Sequence, residues 1–125
     1  MTKRILHIDD DPIILDIVQS TFKSDGQIAV TSIKNAEDAL AVIQNLKPDL
    51  IIVDIAMPNM GGFEFILELR KFAQFAATPI IILSGRARNL GVNNPFQQMS
   101  VVVSEKPVVP DRLRYEAEML LSRAK

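Results

Sequence analysis

The chain has 125 residues, a formal net charge of −1 at pH 7, 48% hydrophobic residues and no cysteine. This length predicts a single domain over residues 1–125, with a core that needs neither disulfides nor a thiolate metal site. The near-neutral charge argues against nucleic-acid binding, and no apolar run approaches the roughly 18 residues that cross a bilayer. Because charged residues follow Met1 too early for a signal peptide, we expect a cytoplasmic protein.

The first half of the chain predicts two strands that alternate with two helices. The strand Ile5–Ile8 ends at three consecutive acids, and Asp11-Pro12 then suits the cap and first turn of a helix. The strand Ile28–Ile33 precedes Asn35, which is predicted to cap the second helix. The residues predicted to face the core at helical spacing are Ile14, Leu15, Val18 and Phe22 in the first helix, and Ala36, Ala39, Leu40 and Ile43 in the second.

The third predicted strand is the β-branched run Leu50–Val53, which is typical of a strand covered on both faces. It ends at Asp54, and a loop rich in Pro and Gly follows. The next segment, Phe63–Ala73, is predicted to be helical. The residues expected on its inner face are Phe63, Ile66 and Leu67.

The last two predicted strands are Ile80–Leu83, which ends at Ser84-Gly85, and Val101–Val103, which ends near Lys106-Pro107. Asp111 is predicted to cap a final helix. The residues expected on the inner face of that helix are Leu113, Ala117, Leu120 and Leu121. Five strands that alternate with helices predict an α/β fold with a parallel sheet and helices on both faces.

The segment between Ser84 and Val101 does not fit this alternation well. A helix is expected there, but Gly91, two asparagines and Pro95 interrupt any helical period. We therefore expect a short or irregular fourth helix, or mostly loop.

Polar residues stand where four of the five strands end. Asp9-Asp10 follow the first strand and Asp54 the third, while Ser84 and Lys106 follow the fourth and fifth. Ligands of open parallel sheets bind at the carboxyl ends of the strands, so these side chains are candidates for one site. Carboxylates that converge repel one another, and both Mg²⁺ and a lysine would relieve that repulsion.

At these residues the sequence resembles the receiver domain of two-component response regulators. The matching motifs are 9-DDDP-12, 54-DIAMPNMGG-62, Ser84-Gly85 and Lys106-Pro107, and the resemblance covers essentially the whole chain. It implies a doubly wound, flavodoxin-like sheet with the strand order 2-1-3-4-5. It also implies a phosphorylation-dependent signalling switch rather than an enzyme, apart from self-catalysed phosphoryl transfer and autodephosphorylation.

The resemblance assigns a role to each matching residue. Asp54 would accept a phosphoryl group from a sensor histidine kinase or phosphotransfer protein, and a downstream effector would read the result. Asp10, Asp54 and the carbonyl of Ala56 would ligate Mg²⁺, with Asp9 acting mostly through water. Lys106 would pair with a phosphoryl oxygen, Ser84 would hydrogen-bond another, and Gly85 would leave the approach open. A cis peptide before Pro107 would aim Lys106 into the site.

The sequence departs from the family pattern at three places. Val103 stands where the family usually has an aromatic residue that swings inward, residues 86–99 lack a regular helical pattern, and Gly61 replaces a frequent acid. Arg86 could pair with the phosphoryl group or be a solvated loop residue. Met57 and Met60 are expected to pack in the loop, and His7, the single histidine, is expected to be packed and hydrogen-bonded.

Other functions stay open to different degrees. A protein-interaction module that keeps the site without phosphorylation-driven switching is the main alternative, because of Val103 and the irregular segment. A Mg²⁺-dependent phosphatase of the haloacid dehalogenase type is disfavoured, since Ala56 stands where the second acid would be. Flavin or nucleotide binding is disfavoured because no Gly-rich phosphate loop follows the first strand.

Overall fold

The computed structural model describes residues 2–85 and 101–123, the last of these for its backbone alone. The five strands are β1 (Lys3–Ile8), β2 (Ile28–Ile33), β3 (Leu50–Asp54), β4 (Ile80–Ser84) and β5 (Val101–Glu105). The helices of this part of the chain are α1 (Pro12–Phe22), α2 (Ala36–Leu46), α3 (Gly62–Leu69) and α4 (Pro110–Arg123), with a 3₁₀ turn at Ala73–Phe75. The segment in which an irregular helix was expected, residues 86–100, lies outside the described residues, as does Arg86.

All five strands are parallel, in the order β2-β1-β3-β4-β5. This confirms the doubly wound, flavodoxin-like α/β fold. Every residue of β3 and β4 is buried, as the continuous apolar runs predicted, because helices cover both faces of the central strands.

Two hydrophobic clusters hold the layers together, one on each face of the sheet. Alternate strand residues face α2 and α3 on one side, and the residues between them face α1 and α4 on the other. Thus Ile51 and Val53 pack against the α2/α3 layer, whereas Leu50 and Ile52 pack against the α1/α4 layer. Asp54 continues the second set and therefore points towards the α1/α4 side of the strand end.

The helix starts follow from local capping. The Asp11 side chain accepts from the N–H of Ile13 at 2.9 Å, and the Asn35 side chain accepts from the N–H of Asp38 at 2.8 Å. Both caps were predicted. The cap predicted at Asp111 is wrong: α4 already begins at Pro110, so Asp111 lies in its first turn. Proline favours that first position because a helix has no partner for its N–H there.

The prediction for α3 is wrong in two respects. The helix ends at Leu69, and its buried residues include Phe65, Ile66 and Leu69, while Phe63 and Leu67 are partly exposed. The buried stripe starts at Gly62 and recurs three, four and seven residues later, one position out of step with the expected face. None of the helices in the described ranges is long and apolar enough to span a membrane.

Candidate functional site

Three carboxylates meet where β1 and β3 end side by side. Asp9 follows β1, its N–H still donates to the carbonyl of Ile33 at 3.1 Å, and its side chain is fully buried. Asp54 closes β3 and is also buried, whereas Asp10 is exposed. One oxygen from each of Asp9, Asp10 and Asp54 lies within 4.8 Å of the others. The convergence that the strand ends predicted is therefore present.

Lys106 reaches this cluster from β5, two strands away from β3. Its Nζ lies 3.2 Å from Asp54 Oδ1, and its side chain is 27% exposed. The backbone N–H of Lys106 donates to the carbonyl of Ser84 at 2.9 Å, which extends the β4–β5 pairing up to the lysine. The Lys106–Pro107 peptide bond is cis, as predicted. The ammonium group thus supplies positive charge on one side of Asp54.

The loop after β3 holds Asp54 from the backbone. The N–H of Ala56 donates to Asp54 Oδ1 at 3.3 Å, and the N–H of Gly62 donates to the carbonyl of Ile55 at 3.0 Å. A Cβ at Gly62 would lie 2.7 Å from the carbonyl oxygen of Asp54. A glycine is therefore required where α3 begins, because the loop folds directly against the end of β3.

Burial and like charge set the protonation of Asp9. Burial, together with the charges of Asp54 and Asp10, raises the pKa of Asp9 to about 6, although the N–H of Asp11 and the charge of Lys106 act in the opposite direction. Asp9 Oδ1 accepts from Asp11 N–H at 2.9 Å, but its buried Oδ2 has no hydrogen-bond partner in the described part of the chain. A cation beside the three acids would remove this cost, since it favours the ionised carboxylate.

His7 lies on the same face of β1, two residues before Asp9. It is fully buried, as expected, but the expected hydrogen bond is not formed in this arrangement: neither ring nitrogen has a partner among the residues that the structure describes. Its Nε2 is 3.9 Å from Asp9 Oδ2, too far for a hydrogen bond. Burial and the charge of Lys106 lower the pKa of His7 to about 4, so the imidazole is neutral at physiological pH.

The other predicted residues surround the cluster. Ser84 is buried at the end of β4, and a Cβ at Gly85 would meet no atom of the described residues within 4 Å. Val103 is half-buried and packs on the core of the α2/α3 layer, as do Met57 and Met60. Sequence reasoning missed the close approach at Gly62; the Gly-Gly pair that opens the helix was the available signal.

The protein comparisons identify the family. A family model described as the response regulator receiver domain matches residues 5–118. Response regulator Rre1 of Synechocystis sp. is 31% identical over 119 residues, which cover 95% of this chain and 52% of that protein. A protein-glutamate methylesterase/protein-glutamine glutaminase of Syntrophus aciditrophicus is 32% identical over 113 residues, covering 87% of this chain and 31% of that protein. The chain thus spans about half of the first relative and about a third of the second.

Solved structures agree with this result. The chemotaxis response regulator CheY4 of Vibrio cholerae has a TM-score of 0.86 at 28% identity, covering 96% of this chain and 99% of that one. The receiver domain of the Francisella response regulator 1452 has a TM-score of 0.86 at 29% identity, covering 99% of this chain and 100% of that one. The chain belongs to the response regulator receiver domain family, which places it in two-component signalling.

Proposed function

We propose that this receiver domain is a phosphorylation-dependent signalling switch in which Asp54 accepts the phosphoryl group. The observation that carries the proposal is the contact between opposite charges at one strand end. Asp54 shares a cluster with Asp9 and Asp10, all within 4.8 Å, and its Oδ1 lies 3.2 Å from Lys106 Nζ. Phosphoryl transfer depends mainly on positioning and on charge neutralisation, and these residues supply both.

The proposed donor is the phosphohistidine of a sensor histidine kinase or phosphotransfer protein. A carboxylate oxygen of Asp54 attacks phosphorus and forms the new P–O bond as the P–N bond breaks, and the leaving imidazole recovers a proton. Lys106 then pairs with a phosphoryl oxygen, and the Ser84 hydroxyl donates to another. Ala56 N–H, which holds Asp54 Oδ1 at 3.3 Å, helps to fix the direction of attack.

Mg²⁺ fits the donor set of this site. The candidate ligands are all oxygens: the carboxylates of Asp10 and Asp54, the carbonyl of Ala56, and Asp9 through water. The raised pKa of the Asp9 carboxyl is the cost that a bound cation offsets. When bound, Mg²⁺ supplies positive charge that neutralises the acids and the phosphoryl oxygens.

The test is labelling by a small phosphodonor. Incubation with acetyl phosphate and Mg²⁺ is expected to add one phosphoryl group, detected by intact-protein mass spectrometry, and EDTA should abolish it. Asp54→Asn should remove the label, whereas Asp16→Asn, which changes an exposed acid on α1, should retain it. An unlabelled wild-type protein, or a labelled Asp54→Asn variant, would contradict the proposal.

The wider biological role is also part of the proposal. Residues 1–125 are proposed to form one receiver domain that acts in the cytoplasm, without an enzymatic reaction beyond its own phosphorylation and dephosphorylation. The effector is a further domain or a separate protein that binds the phosphorylated form. The relationship to methylesterases concerns about a third of one such protein, so it lends no support to esterase activity in this chain.

A second candidate function rests on Val103. A valine cannot make the large rotamer change of an aromatic side chain, so docking that is independent of phosphorylation is the alternative. Amide hydrogen exchange with and without beryllofluoride distinguishes the two functions. Altered exchange near Ser84 and Val103 favours the switch, whereas unchanged exchange at both places favours the docking module.

A further inference from the structure

The pair formed by His7 and Asp9 contains buried polar atoms that the proposed chemistry does not use. Both side chains are fully buried, and within residues 2–85 and 101–123 both ring nitrogens of His7 and Oδ2 of Asp9 are without hydrogen-bond partners. His7 Nε2 and Asp9 Oδ2 nevertheless face each other at 3.9 Å. Buried polar groups are almost always satisfied, so such an arrangement calls for an explanation.

The surroundings of His7 leave Asp9 as its natural partner. In the sheet, His7 is paired with Ser32 of β2 and Ile52 of β3. Ile52 offers no polar side chain, and the Ser32 hydroxyl, which accepts from Gln19 at 2.9 Å, forms no hydrogen bond with either ring nitrogen of His7. A neutral imidazole carries one N–H donor, and the facing atom, Asp9 Oδ2, can only accept while the carboxyl is ionised.

We propose that His7 is a positioning residue for the cation site: its Nε2–H donates to Asp9 Oδ2 and fixes that carboxylate towards Asp10 and Asp54. Closing the gap of 3.9 Å to hydrogen-bond length needs a movement of about 1 Å. The inference rests on the proposed function for its role in cation binding, but the hydrogen bond itself does not depend on that function.

The proposed bond completes the support of Asp9. The N–H of Asp11 already holds Oδ1 at 2.9 Å, so a donor on Oδ2 would engage both oxygens and prevent rotation of the carboxylate. Partners behind a ligating carboxylate orient it and tune its affinity for the metal. His7 thereby acts through Asp9 and does not touch the cation.

The first test measures the proton on the ring. His7 is the only histidine in the chain, so its long-range ¹H–¹⁵N correlation spectrum needs no assignment by mutation. In the metal-free protein at neutral pH we expect the neutral tautomer with the proton on Nε2. A ring protonated mainly on Nδ1 overturns the inference, whether or not the protein binds Mg²⁺ or accepts phosphate.

The second test measures Mg²⁺ affinity by titration calorimetry. His7→Leu removes the N–H donor and introduces an apolar residue suited to a buried strand. We expect its Kd for Mg²⁺ to rise about tenfold, at the lower end of the losses seen when a residue that supports a metal ligand is removed. His7→Gln, whose amide can donate in place of Nε2–H, should return to within about threefold of wild type. Circular dichroism establishes that both variants are folded.

The outcomes separate the two proposals. Equal Mg²⁺ affinity in wild type and a folded His7→Leu overturns the positioning role, even if Asp54 is still phosphorylated. Loss of affinity in both variants, without rescue by glutamine, also overturns it, because the defect is then one of packing. A wild-type protein that binds no Mg²⁺ contradicts the proposed function, and the tautomer then decides the hydrogen bond alone.

Discussion

The buried pair His7 and Asp9 predicts opposite pH dependences for two single variants. Burial and the neighbouring acids raise the pKa of Asp9 from 3.8 to about 6, so ionising it opposes folding, and stability falls as pH rises between these values. Burial and Lys106 lower the pKa of His7 from 6.5 to about 4, so protonating it opposes folding, and stability falls as pH drops through this window.

The pH dependences of stability caused by Asp9 and by His7 nearly cancel in the wild-type protein, because the two pH ranges overlap and the two pKa shifts are similar in size. A shift of about 2 pKa units corresponds to about 3 kcal/mol of folding free energy. Asp9→Asn removes the acid, so its gain in stability over wild type should be about 3 kcal/mol near pH 7.5 and about 1 kcal/mol near pH 4.5. His7→Gln should show the reverse: removing the titrating imidazole should add no folding stability near pH 7.5 and about 2–3 kcal/mol near pH 4.5.

The assay is urea denaturation in EDTA at both pH values, so that no divalent cation offsets the charge on Asp9. Packing changes caused by either substitution affect the free energy of unfolding equally at both pH values. They therefore cancel when the difference between variant and wild type at one pH is subtracted from that difference at the other. The reasoning fails if neither variant's difference from wild type in unfolding free energy depends on pH. It also fails if the differences of Asp9→Asn and His7→Gln change in the same direction between the two pH values.

Three further perturbations test other parts of the site and fold. Lys106→Met removes the charge 3.2 Å from Asp54 Oδ1, which competes with Mg²⁺ for that carboxylate, so Mg²⁺ should bind about three- to tenfold tighter by calorimetry. Labelling by acetyl phosphate should fall in this variant. An unchanged Mg²⁺ affinity would contradict the competition between the lysine and the cation. Gly62→Ala places a Cβ 2.7 Å from the Asp54 carbonyl and should cost about 1–3 kcal/mol in urea unfolding, whereas Gly26→Ala, with nothing within 4 Å, should not. Asn35→Ala removes the α2 cap and should cost about 1 kcal/mol, unlike the exposed Asn45→Ala; equal unfolding midpoints would exclude the cap's contribution.

The sequence predicted the fold because its signals are local and agree with one another. The strand runs around Ile52 and Ile81 are continuous and apolar, which is expected only of strands covered on both faces. The caps at Asp11 and Asn35 mark helix starts through single hydrogen bonds between near neighbours. Such features depend on a few adjacent residues, so they can be read without knowing the tertiary packing.

Apart from the cap predicted at Asp111, the errors concern features that depend on packing between residues far apart in the sequence. The buried face of α3 starts at Gly62, where a Cβ would lie 2.7 Å from the carbonyl oxygen of Asp54 at the end of β3, and Phe63 is exposed. The missing partner of His7 likewise depends on the distance to Asp9 across the end of the strand, not on sequence spacing. Neither the periodicity of apolar residues nor residue type contains this information.

The same topology explains why the acids accumulate at a cost to stability. Because β1 and β3 are parallel neighbours, their carboxyl ends lie side by side, and Asp9 and Asp54 must share one pocket wherever the helices point. The amine of Lys106 lies against Asp54, while Asp9 keeps a raised pKa. A neutral residue at position 9 would be more stable in this pocket, so the charge of Asp9 argues for a ligand that requires it.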